Sequence, residues 1–272
     1  MNERYALDRL VLASSSPRRR ELVAALRLPL PVEVLATDTD ETVEPGLEPH
    51  EIVTELSLRK AAAAAQRLSA ADLQEGRSAL VLGGDTIVVL DGEVLGKPAD
   101  AADACRTLRR LSGRAHEVYS GVSLLRTGMR EFRGAADSEQ PFPASELAVP
   151  AFGEAVDASS ASGRSSGGLR WSSEARLGRI GRWRIAEASP DEPVCAVGYT
   201  RSEVIFRELS EAEIEAYVAS GDPLDKAGSY GVQGLGSVLI EEIAGDFYSV
   251  MGLPLALVYQ MLLPFGVSPL RS

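Results

Sequence analysis

A chain of 272 residues, 45% hydrophobic and 25% charged, suits one large or two modest soluble globular domains. Its net charge of −11 speaks against non-specific nucleic-acid binding, and two cysteines (Cys105, Cys195) and two histidines (His50, His116) are too few for a disulfide framework, a thiolate metal site or a multi-histidine site. No apolar run reaches the ~20 residues of a membrane span and the opening MNERYALDR lacks a signal-peptide core, so the expectation is a cytosolic protein with neither a membrane nor a nucleic-acid partner.

Leu10 to Ala13 (LVLA) reads as a short strand. Ser16 ahead of Pro17 is a strong helix start, and Leu22, Ala25 and Leu26 then repeat at helical spacing. Val32, Val34 and Leu35 suggest a strand that runs into an acidic loop at Asp38, Asp40 and Glu41. The segment 49–68 (PHEIVTELSLRKAAAAAQRL) is a helix with Ile52, Leu56, Lys60 and Ala64 along one stripe. SALVLGGDTIVVL carries the near-continuous apolar run of a strand buried on both faces, and Asp91-Gly92 turns it back through EVLGKP. A helix stopped at Gly113 and the strand HEVYSGVSLLR follow.

From about 130 to 191 the composition shifts to Ser, Gly, Ala, Glu and Pro without a sustained period, which reads as an inserted, weakly structured loop. Beyond it come the strand VCAVGYTRSEVIFREL, a helix with Ser210 and Glu213 in capping-box spacing and Gly221 as its stop, and the Gly-rich loop DPLDKAGSYGVQGLG. SVLIEEIAGDFYSV reads as a hairpin turning at Gly245-Asp246, and LPLALVYQMLLPFG as a last apolar helix. Strands alternate with helices, so the class is α/β.

Arg18, Arg19 and Arg20 all lie in the first turn of the first helix, at the positive end of its dipole, where a cation costs roughly 0.3–1 kcal/mol. They either point out into solvent or await an anion that reverses the sign. Free backbone N–H groups, the hydroxyls of Ser14, Ser15 and Ser16, and guanidinium forks suit a polyphosphate. Asp85, within an apolar strand, is expensive unless paired or bound to metal, and reads as a metal ligand or general base; a strand-end aspartate in a solvated loop is the alternative. Lys60 shares the inward stripe, although a lysine at its edge can snorkel. Lys97 sits in a rigid GKP loop, and Asp225 and Lys226 are weak candidates among glycines. His116, without a nucleophile to pair with, is structural. An anion cradle, two separated lysines and the carboxylates Glu41 and Asp85 suit hydrolysis of a nucleotide phosphate, and no GxxxxGK[ST] loop is present.

ASSSPRRRELV, GGDTIVVLDGEVLGKP, LSGRAHEVYSGV, DKAGSYGVQGLG and YSVMGLPL, in that order, closely resemble the Maf family of nucleoside triphosphate pyrophosphatases, over nearly all of the chain outside 130–191. The resemblance implies a mixed twisted sheet with flanking helices, two lobes around a cleft, akin to the inosine triphosphate pyrophosphatases, with 1–272 as one domain carrying the insert. It implies cleavage between the α- and β-phosphates with a divalent cation, Mg²⁺ or Mn²⁺. Carried over by position, Ser14, Arg18 and Arg19 fall on the phosphate-binding loop. Glu41, Lys60, Asp85 and Lys97 fall on the charged catalytic positions, with Asp85 as proton acceptor and Asp85 and Glu41 as metal ligands. Gln233, Thr86 and Arg18 fall on base-selecting positions. GDT with VQG goes with dTTP and UTP, whereas SDQ with CEG goes with 7-methyl-GTP, so the pyrimidine branch is expected. A glutamine amide can both donate to and accept from a pyrimidine edge. A homodimer is also implied, and a non-catalytic nucleotide-binding regulator of cell division is the competing class.

Overall fold

The computed structural model describes residues 7–75, 77–127, 147, 149–153, 169–189 and 192–270. Its frame is one mixed sheet built on three long strands: β3 (Ala79–Leu90), β5 (Ala115–Arg126) and β9 (Glu192–Phe206). To one side of β3 lie β1 (Arg9–Ala13) and then β2 (Val32–Val34), both parallel to their neighbours. The β1–β2 and β2–β3 crossovers are α1 (Pro17–Ala25) and α2 (Pro49–Glu75). The other pairings are antiparallel, including the hairpin to β4 (Glu93–Leu95). Asp91 and Gly92 turn that hairpin with φ of 53° and 80°, the two positive values a type I′ turn requires.

The strands of this frame are apolar on both faces because helices cover both. Val11, Val81 and Leu125 pack under α2 with Leu58, Ala61 and Ala65. Leu10, Leu12, Leu80 and Leu82 pack on the other face with Leu22 of α1, with Met251 of α5 (Phe247–Met251), and with Leu257 and Met261 of α6 (Leu255–Leu262). The far halves of β3, β5 and β9 carry a separate core with Leu108 of α3 (Ala101–Leu111) and Ile214 and Tyr217 of α4 (Glu211–Ala219). These cores make the two expected lobes. On its outer edge β3 pairs with β1 only as far as Gly83 and with β4 only from Val88. On that edge the stretch Gly84–Ile87 has no strand partner among the described residues, and the cleft opens there.

Two expectations need correcting. Part of the 130–191 segment is ordered sheet: β6 (Arg170–Trp171), β7 (Ala175–Leu177) and β8 (Gly181–Ser189), the last paired along β9. Trp171 and Arg184 are buried there, and Arg184 donates to the Ala151 carbonyl at 2.9 Å. Glu174 accepts from Arg182 at 3.0 Å and from the Gly153 amide at 2.8 Å, so charges that look like solvated loop are consumed in pairing. Residues 130–146, 148, 154–168 and 190–191 of the expected insert lie outside the described residues. Gly245-Asp246 does not turn a hairpin. β10 (Ile240–Ala244) pairs back onto β9, and Asp246 caps α5 by accepting from the Tyr248 amide. Among the described residues no helix is long and apolar enough to cross a membrane.

His116 is structural, as expected. It is 2% exposed, its Nε2 shares a 2.8 Å hydrogen bond with the Tyr230 hydroxyl, and burial pushes its pKa down to about 4. The folded state therefore resists a proton that the unfolded chain takes up near pH 6.5. Stability from this group is complete above that pH and is lost as pH falls toward 4, by about 3 kcal/mol. Urea unfolding from pH 7 to pH 4 should show this slope in the native protein and a flatter one in His116→Gln, which keeps an amide for Tyr230 and does not titrate. Equal slopes would contradict a buried neutral imidazole.

Candidate active site

The cleft is assembled from the two faces of β3. Ser14 leaves β1 buried, and its hydroxyl accepts from the Ser16 amide at 3.2 Å. Ser16 caps α1 by accepting from the Arg19 amide at 3.4 Å, with Pro17 in the first helical position. This pins the first turn and with it the directions of Arg18 and Arg19.

Arg19 lies across the vacant edge of β3. Its Nε donates to the Gly252 carbonyl at 2.8 Å and its Nη2 to the Thr86 hydroxyl at 3.2 Å. Arg19 packs directly over Gly84, where a Cβ would stand in ordinary contact at 3.4 Å from Arg19 Nε. Gly252, at φ 129°, holds a conformation open to glycine and ends α5, which explains the YSVMGLPL motif as an Arg19 support. Burial lowers the Arg19 pKa, against the opposing pull of Asp85, and the guanidinium remains charged.

Thr86 also meets the Ser120 hydroxyl at 2.8 Å, and Ser120 donates to the Ser249 carbonyl at 2.7 Å. Ser120's single hydrogen is thereby spent, so Thr86 donates to Ser120 while accepting from Arg19. Thr86 therefore aims Arg19. Arg18 makes no hydrogen bond or ion pair among the described residues. Its charge reaches Asp225, whose carboxyl is held low first by its hydrogen bond to Lys226, with Arg18 adding to the effect from further off.

Neighbouring strand residues point to opposite faces, so Asp85 looks the other way, toward α2. Lys60 Nζ donates to Asp85 Oδ1 at 2.6 Å and to Glu41 Oε1 at 2.7 Å, tying a nearly buried carboxylate to a half-exposed one. Two glycines permit this. A Cβ on Gly83 would come within 2.0 Å of the Ser57 carbonyl, and one on Gly121 within 2.1 Å of the Val53 carbonyl. Helix α2 rests directly on the sheet there. Lys60 lies three residues beyond Ser57, and Asp85 two beyond Gly83 on the same strand face. Glu41 is held below its ordinary pKa, chiefly by the Lys60 hydrogen bond, with Lys97 and Arg19 contributing from further off. Lys97 itself is exposed and makes no ion pair among the described residues. The carbonyl of adjacent Gly96 anchors it to the Gly-rich loop by accepting from the Gly228 amide at 3.1 Å.

That loop is three short 3₁₀ turns, at Asp222–Asp225, Ala227–Ser229 and Gly234–Leu239. Lys226 knits it together by donating to Asp225 Oδ1 at 2.8 Å, to Asp222 Oδ1 at 3.2 Å and to the Asp222 carbonyl. Tyr217 donates to Asp222 Oδ2 at 2.6 Å and accepts from the Gly231 amide at 3.2 Å. Gln233, between the second and third turns, is exposed, with no side-chain hydrogen bond among the described residues. The structure thus joins Asp85 and Glu41 through Lys60 and sets Thr86 on Arg19, while the side chains of Arg18, Lys97 and Gln233 make no hydrogen bond or ion pair among the described residues. Sequence reasoning assigned no role to Ser120 and Gly252, which support Thr86 and Arg19; both lie inside the family-like motifs LSGRAHEVYSGV and YSVMGLPL, the one signal that could have found them.

Two arginines at a helix N-terminus on one face of the unpaired β3 edge, and a carboxylate–ammonium–carboxylate row on the other, are the equipment of a phosphate-handling α/β protein. A family model described as Maf-like protein matches residues 9–143 and 185–265, and the chain belongs to that family. It is 38% identical over 261 residues to the dTTP/UTP pyrophosphatase of Moorella thermoacetica, covering 96% of this chain and 97% of that one. It is 34% identical, at the same coverage, to dTTP/UTP pyrophosphatases of Bacillus cereus and Bacillus anthracis. The residues that the family model skips, 144–184, contain β6 and β7.

Proposed function

We propose that this chain hydrolyses dTTP and UTP between the α- and β-phosphates, releasing the nucleoside monophosphate and pyrophosphate. The observation that carries the chemistry is the Lys60 bridge, which joins the Asp85 carboxylate of β3 to Glu41 across the strand from the Arg19 side. In this reading Asp85 orients the attacking water and accepts its proton. Arg18, Arg19 and Lys97 neutralise the triphosphate and the departing pyrophosphate, with Ser14 shaping the loop beneath them. Lys60 holds the Asp85 carboxylate in place through their 2.6 Å hydrogen bond. Gln233 reads the pyrimidine edge, and Thr86 acts on the substrate through the aim it gives Arg19.

The site also fits a divalent cation. Two hard carboxylate donors, Asp85 and Glu41, already converge on one positive group, the Lys60 ammonium. Mg²⁺ characteristically takes one or two carboxylates and completes its shell with water and substrate phosphates. Among the described residues there is no cluster of three or more acidic, histidine or cysteine side chains to hold a metal without substrate. Asp85 and Glu41 would hold Mg²⁺ or Mn²⁺, which would supply charge neutralisation at the anhydride. We further read residues 1–272 as one domain interrupted by the 144–184 stretch, working as a homodimer in the cytosol; the unpaired Cys105 and Cys195 suit a reducing compartment.

Pyrophosphate release from dTTP, UTP, CTP, 7-methyl-GTP and ITP with Mg²⁺ or Mn²⁺ tests the proposal. Release concentrated on dTTP and UTP supports both mechanism and specificity. Preference for 7-methyl-GTP would overturn the part given to Gln233, and tight binding without release would make the protein a regulator.

A further inference from the structure

The segment carrying Glu41 has little of its own to hold it. Residues 36–44 form neither helix nor strand, and no residue from 36 to 48 is buried. Three cations of α2 grip it instead. Arg67 donates to the Ala36 carbonyl at 2.7 Å, and Lys60 takes the Glu41 carboxylate at 2.7 Å. Arg59 Nη1 donates to two carbonyls at once, Asp40 and Thr42, each at 2.7 Å, while its Nη2 pairs with Glu55 one turn back on α2. These two carbonyls belong to the residues on either side of Glu41.

We propose that Arg59 is the positioning residue for Glu41. It fixes the residues flanking Glu41 so that the carboxylate meets Lys60 and, through Lys60, the Asp85 side of the cleft. The adjacent residues Arg59 and Lys60 thus hold one loop residue by its backbone and by its side chain. A guanidinium suits this task because its hydrogens diverge in a fixed plane and can serve two acceptors, whereas an ammonium is a point charge on a flexible stem. Arg59 touches no reacting atom, and its effect on rate passes entirely through Glu41. The inference rests on the proposed hydrolysis, in which Glu41 takes part.

The test is a double-mutant cycle on pyrophosphate release from dTTP, with kcat and KM measured separately. Arg59→Ala should lower kcat by about ten- to a hundredfold, the scale of a displaced catalytic group, with KM changing by less than about threefold. Arg59→Lys should recover part of the loss. In a Glu41→Gln background, Arg59→Ala should lower kcat no further, because the group it positions is already disabled. Independent, multiplying losses would overturn the proposal, as would full activity of Arg59→Ala. Hydrogen–deuterium exchange separates this from failure of the functional reading. The Thr42 amide, bonded to Asp40 Oδ1 at 2.9 Å, should exchange faster in Arg59→Ala whether or not the native protein turns over dTTP. Unchanged exchange across 36–48 would overturn the proposal even in an inactive protein.

Discussion

Asp85→Asn is expected to abolish pyrophosphate release from dTTP and UTP while leaving the protein folded. The loss in kcat should reach about 10²–10⁴-fold, the range general-base catalysis supplies. Asparagine keeps the volume of the side chain and an oxygen for Lys60 at the position of Asp85 Oδ1, now 2.6 Å from Nζ. It has no basic lone pair to accept the proton of water, and it removes one of the two carboxylates that would hold a cation. Removing one partner of a buried ion pair is damaging when it strands the other. Here the Lys60 ammonium keeps Glu41 at 2.7 Å, so thermal unfolding should stay cooperative, with a midpoint near that of the native chain. Folded Asp85→Asn protein with near-normal kcat would remove Asp85 from the proton-acceptor role. An unfolded variant would show instead that the carboxylate serves mainly to neutralise Lys60.

The parts of the fold legible in the sequence are those whose signals are local. Ser16 with Pro17, and Ser210 with Glu213, start helices because each cap satisfies amides within three residues. Asp91-Gly92 turns a hairpin because both residues accept positive φ. The apolar run of β3 announced a strand covered on both faces. What stayed hidden depends on distant partners. β8 looked like loop because its arginines find Glu174 and Ala151 only in the folded chain. Gly245-Asp246 looked like a turn, yet β9, some forty residues earlier, takes β10 as a partner and leaves Asp246 free to cap α5. In the site, the charged positions could be listed from sequence but not arranged. Asp85 and Thr86 are adjacent in the chain, and strand alternation sends one to Lys60 and the other to Arg19. The contact that fixes Arg19 joins residues 233 apart in sequence.

Gly83→Ala should be the most damaging glycine-to-alanine change among the described residues, and Gly121→Ala should follow it closely. Both glycines lie in ordinary strand conformations, where alanine normally stabilises by about 0.4–1 kcal/mol through the unfolded chain. The sign reverses here because the methyl has nowhere to go. At Gly83 it would stand 2.0 Å from the Ser57 carbonyl and 3.0 Å from the Ala61 amide nitrogen and Cβ. At Gly121 it would stand 2.1 Å from the Val53 carbonyl and 2.9 Å from the Thr54 nitrogen. These obstacles are helix backbone, so no rotamer change relieves them and α2 must lift. Overpacking of this kind costs about 1–3 kcal/mol or more, and a lift also draws Lys60 away from Asp85. Both the unfolding midpoint and kcat should therefore fall, a combination not expected of Asp85→Asn. Val53 and Ser57 are one turn apart on α2, so a single displacement of the helix accommodates both methyls. The double variant should accordingly lose less stability than the two single losses combined. Gly96→Ala, with no atom within 4 Å of the added methyl, serves as the stability control. A Gly83→Ala protein as stable as the native chain would mean that α2 rides higher on the sheet. Lys60 would then stand farther from Asp85, and the proposed base would lose the contact that holds it.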